Sequence, residues 1–228
     1  MLALYVAAGP LSGRSDWRRV SGDRLQGGRT DRSPTSAPLG PLGPEWRRGP
    51  PGAALKPGSA LNIAPAAARD ADALLALRNH HIAHSFATFD DAPLRLPAVQ
   101  DWIAGFAATG PRRLLVARDG ERLLGFCSSQ PYRAHPAFAR TIETSIYVAP
   151  DAMGSGVGSA LYERLFADLA DEGLHRAVVG IALPNEASIR LHARFGFRPV
   201  GMFDEYAHKN GRAISSQWMQ RAMNGDLA

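Results

Sequence analysis

Cysteine is almost absent from this chain: Cys127 is the only one among 228 residues. A single cysteine excludes an internal disulfide and is typical of a reducing compartment, so we expect a cytoplasmic protein. Cys127 stands in an apolar, strand-like run, which favours a buried, inert thiol over a nucleophile.

Long apolar runs are missing as well. No stretch approaches the roughly 20 apolar residues that span a bilayer. Residues 1–8 are apolar but lack the basic start and the longer apolar core of a signal peptide. The sequence therefore predicts no membrane partner.

The domain also lacks an excess of charge of one sign. The net charge of +5 comes entirely from residues 1–60, which hold nine Lys or Arg and four Asp or Glu. Residues 61–228 hold 17 of each sign. A basic surface for nucleic acid is therefore not expected in the domain.

Residues 1–60 differ in composition from the rest of the chain: they contain ten Gly and eight Pro, interleaved with Arg, Ser and Thr. Such a segment cannot bury enough apolar surface to offset its ordering entropy, so it is predicted to be a disordered leader. A start codon placed ahead of the true domain explains the composition equally well. A nucleic-acid-binding arm is disfavoured because repeated aromatics are missing. The predicted domain spans residues 61–222, followed by a tail at 223–228.

Hydrophobic periodicity predicts the order β-α-α-β-β-β-α-β-α-β-β, an α/β domain with a mixed sheet. Turn and cap signals mark several boundaries, including Asp119-Gly120 in a hairpin and Asn185 at a helix start. The predicted strands are 61–63, 114–117, 123–128, 144–148, 177–183, 199–206 and 214–219, and the helices are 66–84, 99–108, one beginning at Val157, and 186–195.

The most informative stretch is 146–162. A β-branched strand ends at Pro150, and Gly154, Gly156 and Gly158 then lead into a helix with Val157, Leu161, Leu165 and Leu169 at four-residue spacing. Converging backbone N–H groups and the positive end of a helix dipole make this order an anion cradle.

Two common phosphate motifs are excluded here. A P-loop needs a Lys after its last glycine, where this chain has Ser159, and a dinucleotide fingerprint needs a different glycine spacing. The pyrophosphate of coenzyme A remains as a ligand. A plain strand-to-helix turn without a ligand is the alternative.

The glycine loop after the fourth strand, and the sequence Leu-Pro-Asn-Glu-Ala-Ser-Ile-Arg-Leu-His-Ala-Arg-Phe-Gly-Phe after the fifth, resemble the GNAT superfamily of N-acetyltransferases. Within it, the runs at 143–150, 183–185 and 188–192 are similar to the phosphinothricin acetyltransferase branch. The resemblance covers about residues 62–222. It implies a mixed, mostly antiparallel sheet flanked by helices, with acetyl-CoA as co-substrate and no metal.

The resemblance also implies which residues bind the co-substrate. The backbone of Ile146, Tyr147 and Val148 would pair with the pantetheine arm, and Asn185 would position that arm beside the thioester. The amides of Met153, Gly154, Ser155, Gly156, Val157 and Gly158 would hold the pyrophosphate. Met153 departs from the family, which usually has Gln or Arg at this position, and this predicts weaker side-chain support.

For catalysis the resemblance implies a base and an acid. Glu143 would take the proton of the attacking amine, and His192, where many members place a Tyr, would protonate the leaving thiolate. The Val148 amide would donate to the thioester carbonyl. A solvent-exposed carboxylate at Glu143 and a packed histidine at His192 are the structural alternatives.

For the acceptor, the resemblance assigns Arg133 and His135 to acidic groups of the substrate and Phe89 to the pocket wall. A His at 135 instead of Arg weakens bidentate carboxylate recognition, and Arg133 as a solvated loop charge stays open. His80, His81 and His84 lie on the first helix without a spaced carboxylate or cysteine, so a metal site is not expected.

The predicted function is therefore transfer of an acetyl group from acetyl-CoA to the primary amine of a small amino-acid-like substrate, of the phosphinothricin or methionine sulfoximine type. Acetylation of protein N-termini or aminoglycosides is one alternative, and a catalytically silent acyl-CoA-binding module is another. The expected partner is a small-molecule amine, and a homodimer with a second copy of the chain is compatible with the sequence.

Overall fold

The computed structural model describes residues 61–223 as a seven-stranded sheet with helices on both faces. The strand order is β1-β2-β3-β4-β5-β7-β6, and every neighbouring pair is antiparallel except β4–β5. The predicted mixed, mostly antiparallel α/β fold is confirmed. The prediction of a disordered leader falls on residues 1–60, which lie outside the described residues.

The strands and helices follow the predicted order. The strands are β1 (Asn62–Pro65), β2 (Arg113–Asp119), β3 (Arg122–Pro131), β4 (Thr141–Val148), β5 (Arg176–Ala182), β6 (Arg198–Lys209) and β7 (Arg212–Ala222). The helices are α1 (Ala71–His84), α2 (Leu96–Ala104), α3 (Val157–Asp168) and α4 (Glu186–Arg194). Within residues 61–223, every helix is too short or too polar to cross a membrane.

Several predicted boundaries shift: β3, β6 and β7, for example, each end three residues later than predicted. The first helix begins at Ala71 instead of residue 66, because the Asp70 carboxylate accepts the Ala67 N–H at 2.7 Å and closes a 3₁₀ turn first. The second helix begins at Leu96, with a proline in its first turn, and ends before Gly105. Met223, placed in the tail by prediction, donates to the His175 carbonyl at 3.1 Å and packs against the core.

Two hydrophobic clusters cover the two faces of the sheet. On one face α3 and its C-cap residue Leu169 pack on the central strands, and the predicted Val157, Leu161, Leu165 and Leu169 are all at most 1% exposed. On the other face α1 and α2 cover Leu114, Val116 and Phe126. Cys127 is fully buried, and burial raises the pKa of its thiol, as expected for an inert residue.

The parallel pair β4–β5 is short. It is registered only from Thr141↔Arg176 to Glu143↔Val178, after which β5 continues against β7 and β4 continues against β3. The two central strands therefore part immediately after Glu143. We call the opening between them the β4–β5 gap.

A chain that begins at Ala60 is expected to keep its melting temperature within about 2 °C and its turnover, because both hydrophobic clusters and all seven strands lie at 61–223. Differential scanning calorimetry and a CoA-release assay measure this. A loss of several degrees would show that residues 1–60 stabilise the domain.

Candidate active site

The edge of β4 that faces the gap carries backbone groups in a fixed alternation. Ala149 N–H donates to the Leu124 carbonyl at 2.8 Å, which sets the phase of the β3–β4 ladder. Residues 143, 145 and 147 accordingly bond toward β3, and Ile146 and Val148 direct their amides to the opposite edge. Ile146 and Val148 therefore present N–H groups to the gap, as predicted for pairing with an extended arm.

Tyr147 does not fit the predicted backbone role, because its amide pairs with Phe126 on β3. Its side chain instead donates to the Ala87 carbonyl at 3.0 Å, and burial raises its pKa to about 12. The carbonyl of Val148 is also engaged: His81 Nε2 lies 3.1 Å from it. His81 is buried, which lowers its pKa to about 4, so a neutral imidazole donates this bond.

The glycine loop joins β4 to α3 as predicted. Gly156 is the N-cap of α3 with φ +90°, a conformation that favours glycine. The amides of Val157 and Gly158 fall in the first turn of the helix, where N–H groups have no partner within the helix. The amides of Met153 and Ser155 instead donate to the carbonyls of Pro150 and Ala152 at 3.4 Å, so they contribute less readily to an anion than predicted.

Gly158 lies where the helix meets both sides of the gap. A Cβ at this position would come within 3.2 Å of Leu191 and 3.7 Å of Ile146. The absence of a side chain thus lets the positive end of α3 approach the free edge of β4. Met153, half exposed, leaves the loop open to solvent. This arrangement fits a phosphate-bearing ligand with an arm that follows β4.

Asn185 lies at the other side of the gap, after β5. Its Oδ1 accepts the Ser188 N–H at 3.1 Å and caps α4, which confirms the predicted N-cap. Because the oxygen is used in this way, the side-chain NH₂ is the group that remains to position an acetyl-CoA arm.

Glu143 occupies the last paired position before the gap opens. It is partly buried, and this burial raises the pKa of its carboxyl to about 7. Side chains alternate along a strand, so Glu143 shares a face with Ser145 and Tyr147, the face that α1 and α2 cover. A carboxyl with this pKa exchanges protons in the neutral range.

His192 lies on the opposite face, packed between Tyr162 and Phe197. It is 1% exposed, and burial lowers its pKa to about 4. Its Nδ1 lies 2.7 Å from the Ser188 carbonyl, and the Tyr162 hydroxyl lies 2.8 Å from its Nε2. A neutral imidazole that donates from Nδ1 and accepts at Nε2 satisfies both contacts.

The Tyr162 hydroxyl extends this network to β4, since it lies 3.4 Å from the Thr144 hydroxyl. Tyr162 is fully buried, which raises its pKa. Hydrogen bonds therefore connect His192 to the residue next to Glu143, with the sheet between the two side chains.

The three predicted acceptor residues lie at the two ends of one row of rings, with Arg133 and His135 at one end and Phe89 at the other. The row runs through Phe138, Tyr132, Trp218, Phe203, Tyr206 and Phe89, with successive centroids 5.2–6.2 Å apart. The Arg133 guanidinium lies 5.0 Å from the Tyr132 ring centroid, and the His135 ring lies 6.0 Å from Phe138. We call this set the aromatic row.

The aromatic row lies on the Glu143 face of the sheet. Glu143 pairs with Val178, which pairs with Gln220, and Trp218 is two residues from Gln220. Arg133 and His135 are exposed, and His135 Nδ1 accepts the Ala137 N–H at 3.1 Å. Residues far apart in the chain are thus brought to one surface.

A small cavity opens on the same face. Its polar lining comes from Arg78, Thr88, Asp90, Ser145 and Tyr147. The Thr88 hydroxyl donates to Asp90 at 2.8 Å, and the Ser145 hydroxyl lies 2.7 Å from that of Ser128. The cavity thus joins the Glu143 face of β4 to residues 85–90, the segment that carries Phe89.

The histidines of α1 are engaged with one another and with the backbone. His80 and His84 stack at 4.5 Å, and His84 Nδ1 lies 3.0 Å from the His80 carbonyl. In the part of the chain that the structure describes, no group of three or more His, Cys, Asp or Glu side chains is arranged to hold a metal ion.

Three participants were not predicted: His81 at the Val148 carbonyl, Tyr162 at His192, and Lys209. The Lys209 ammonium donates to the Ser85 and Thr88 carbonyls, both at 2.8 Å. Each contact joins residues at least 30 positions apart. Local sequence patterns do not report such contacts.

This fold and this site define an acetyl-group transferase. Residues 74–197 match the Acetyltransferase (GNAT) family. The chain belongs to this family and is an acetyl-CoA-dependent N-acetyltransferase.

The chain is similar to several known proteins. It is 46% identical to the phosphinothricin N-acetyltransferase of Streptomyces coelicolor over 170 residues, 73% of this chain and 99% of that one. It is 31% identical to the L-methionine sulfoximine/L-methionine sulfone acetyltransferase of Pseudomonas paraeruginosa, covering 70% and 92%. An acetyltransferase structure from Salmonella typhimurium with acetyl-CoA superposes with a TM-score of 0.67 at 29% identity, covering 74% and 97%.

Gly156→Asp is expected to weaken acetyl-CoA binding at least tenfold, because it adds a negative charge at an anion cradle and a side chain at φ +90°. Isothermal titration calorimetry measures the affinity. Gly120→Asp is the matched control, since Gly120 also has positive φ but lies in the β2–β3 turn. Equal affinities in the Gly156 variant and the wild type would contradict the cradle assignment.

Proposed function

We propose that this N-acetyltransferase acetylates the primary amine of a small amino-acid-like acceptor, with Glu143 as the base. The observation that carries the proposal is a carboxyl of pKa about 7 at the point where β4 and β5 part. The acceptor class is supported by the relatives, which are named for phosphinothricin and for methionine sulfoximine and sulfone.

The co-substrate binds along the gap. Ile146 and Val148 hold the pantetheine arm through their backbone, the first turn of α3 holds the pyrophosphate, and Asn185 orients the arm through its NH₂ group. Bound acetyl-CoA supplies the thioester carbon that the amine attacks and the thiolate that leaves. The Val148 N–H is placed to donate to a carbonyl oxygen on which charge develops. His81 supports this role, because it bonds to the Val148 carbonyl, which lies on the same edge of β4 as the Val148 N–H.

Glu143 accepts the proton that the attacking amine must lose. Amines are mostly protonated near neutral pH, and a base is most effective when its pKa is close to the working pH. Burial provides this match because it raises the pKa of the Glu143 carboxyl from its ordinary value to about 7. The acceptor approaches from the Glu143 face, across the aromatic row.

His192 completes proton transfer at the thiolate. Its Nε2 is bonded to the Tyr162 hydroxyl and its Nδ1 to the Ser188 carbonyl, so donation requires that Nε2 release Tyr162. With its pKa lowered to about 4, the imidazole is neutral at rest, so it takes up a proton from solvent as the thiolate forms, while Glu143 returns the amine's proton to solvent, and no net proton is consumed.

Arg133, His135 and Phe89 recognise the acceptor. Arg133 is exposed at one end of the aromatic row and supplies positive charge to a carboxylate or an oxo-acid group. This charge opposes a polycationic aminoglycoside, which makes that alternative less suitable. An acidic acceptor groove would favour acetylation of a protein N-terminus, and the positive charge of Arg133 argues against that alternative as well.

A second copy of the chain and a cytoplasmic location are part of the proposal. Val200 and Met202 on the edge strand β6 are each more than half exposed, and exposed apolar side chains of this kind favour a homodimer. The single, buried Cys127 is consistent with a reducing compartment.

Glu143→Gln is expected to lower kcat by roughly 10²–10⁴-fold at pH 7, because the base is lost. In the wild type, activity should rise with pH through about 7 as the carboxyl ionises, and this limb should vanish in the variant. Steady-state kinetics from pH 6 to 9 measure both. Glu143→Asp, which keeps the carboxylate, should retain more activity. A variant with raised KM and unchanged kcat would make Glu143 an anchor of the ammonium group, and wild-type kcat from pH 6 to 9 would remove Glu143 from the mechanism.

His192→Ala is expected to lower kcat by roughly 10²–10⁴-fold while acetyl-CoA affinity stays within about twofold. Tyr162→Phe is the paired variant, since it frees Nε2 and keeps the ring, and it should retain most turnover. Kinetics and melting curves of both variants separate chemistry from packing. A well-folded His192→Ala enzyme with wild-type kcat would remove His192 from proton transfer.

A further inference from the structure

Lysine is used very sparingly in this protein. The 26 basic residues include only two lysines, Lys56 and Lys209, and all the others are arginines. Lys209 is therefore the single lysine of the described domain. It stands at the end of β6, directly before the Asn210-Gly211 turn into β7.

Lys209 is buried, although lysine side chains are rarely found inside proteins unless they are paired. It is 2% exposed, and its ammonium donates to the Ser85 and Thr88 carbonyls, both at 2.8 Å. Burial lowers its pKa, while Asp90 and Asp91 favour the charged form. Hydrogen bonds from a charged donor to carbonyls are stronger than neutral ones.

The two carbonyls belong to segment 85–90, whose side chains form the acceptor side of the site. Thr88 and Asp90 line the small cavity, and Phe89 contacts Tyr206 of β6 at 5.8 Å between ring centroids. The segment has a third tether, since Tyr147 donates to the Ala87 carbonyl. Segment 85–90 is thus tied to β4 by Tyr147 and to β6 by Lys209.

A lysine suits this position better than the arginine that the chain uses elsewhere. An ammonium is a compact charge with three donors that can bond to carbonyls in different directions, while a guanidinium is a planar fork suited to carboxylates. Ser85 and Thr88 are three residues apart, and their carbonyls converge on one nitrogen atom.

We propose that Lys209 is a positioning residue for the acceptor: it fixes segment 85–90 against β6 and thereby sets the shape of the acceptor pocket. This inference rests on the proposed function, because it takes residues 85–90 as the acceptor wall. Lys209 touches neither reactant. It acts through Thr88, Phe89 and Asp90. Its link to the co-substrate edge of β4 is less direct: Ser85 Oγ donates to the His81 carbonyl, and His81 Nε2 lies 3.1 Å from the Val148 carbonyl.

Lys209→Met tests the proposal, since it keeps the length of the side chain and removes the ammonium. We expect the acceptor KM to rise about tenfold or more, as for loss of a charged hydrogen bond, with the acetyl-CoA KM within twofold. Lys209→Arg keeps donors and charge and should recover part of the loss. Arg198→Met is the matched control, because it removes one charge from an exposed site on the same strand.

An acceptor KM within twofold of the wild type in a folded Lys209→Met enzyme would overturn the proposal, as would an equal rise in the acetyl-CoA KM. Wild-type enzyme that acetylates no amino-acid-like acceptor would instead overturn the proposed function.

A measurement on the unaltered protein covers the case in which the variant does not fold. Reductive methylation followed by mass spectrometry measures how fast the Lys209 amine is methylated. We expect slow methylation in the native enzyme, slower still with a saturating acceptor and unchanged with acetyl-CoA alone. A rate equal to that of the chain unfolded in guanidinium would overturn the proposal.

Discussion

The site depends on the three-residue length of the parallel pairing between β4 and β5. Because pairing stops at Glu143, the next residues of β4 keep backbone groups free on one edge. The first turn of α3 reaches this opening at Gly158, where an added Cβ would meet Ile146 of β4 and Leu191 of α4. A pairing five residues longer would cover the amides of Ile146 and Val148, to which we assign the pantetheine arm.

Burial acts in opposite directions on the two titratable groups beside this gap. It raises the pKa of Glu143 to about 7 and lowers that of His192 to about 4, since both groups lose solvent around their charged forms. Both are therefore biased toward neutrality. A proton released by an attacking amine is held more readily by Glu143 than by His192, which suits Glu143 to the role of base and a protonated His192 to the role of acid.

The sequence predicted the element order, the glycine loop, the Asn185 cap and the inward face of α3, because each leaves a local signal of spacing or turn chemistry. The first helix start was misplaced since the Asp70 bond to Ala67 imposes a 3₁₀ turn that apolar periodicity does not record. The role expected for the Tyr147 backbone failed for another reason. The family resemblance identifies the strand. Which of its residues form backbone hydrogen bonds to β3 depends on the register of the two strands, and this register directs the Tyr147 amide to β3.

The contacts that sequence patterns missed join distant segments: His81 to Val148 is 67 residues, and Lys209 to Ser85 is 124. Such pairs have no periodicity to detect, yet composition held one signal. In a chain whose basic residues are nearly all arginine, a lysine at a hairpin end indicates a place that a planar guanidinium does not suit. The compact ammonium of Lys209 can donate to two carbonyls at once, and this explains why a lysine stands at this position.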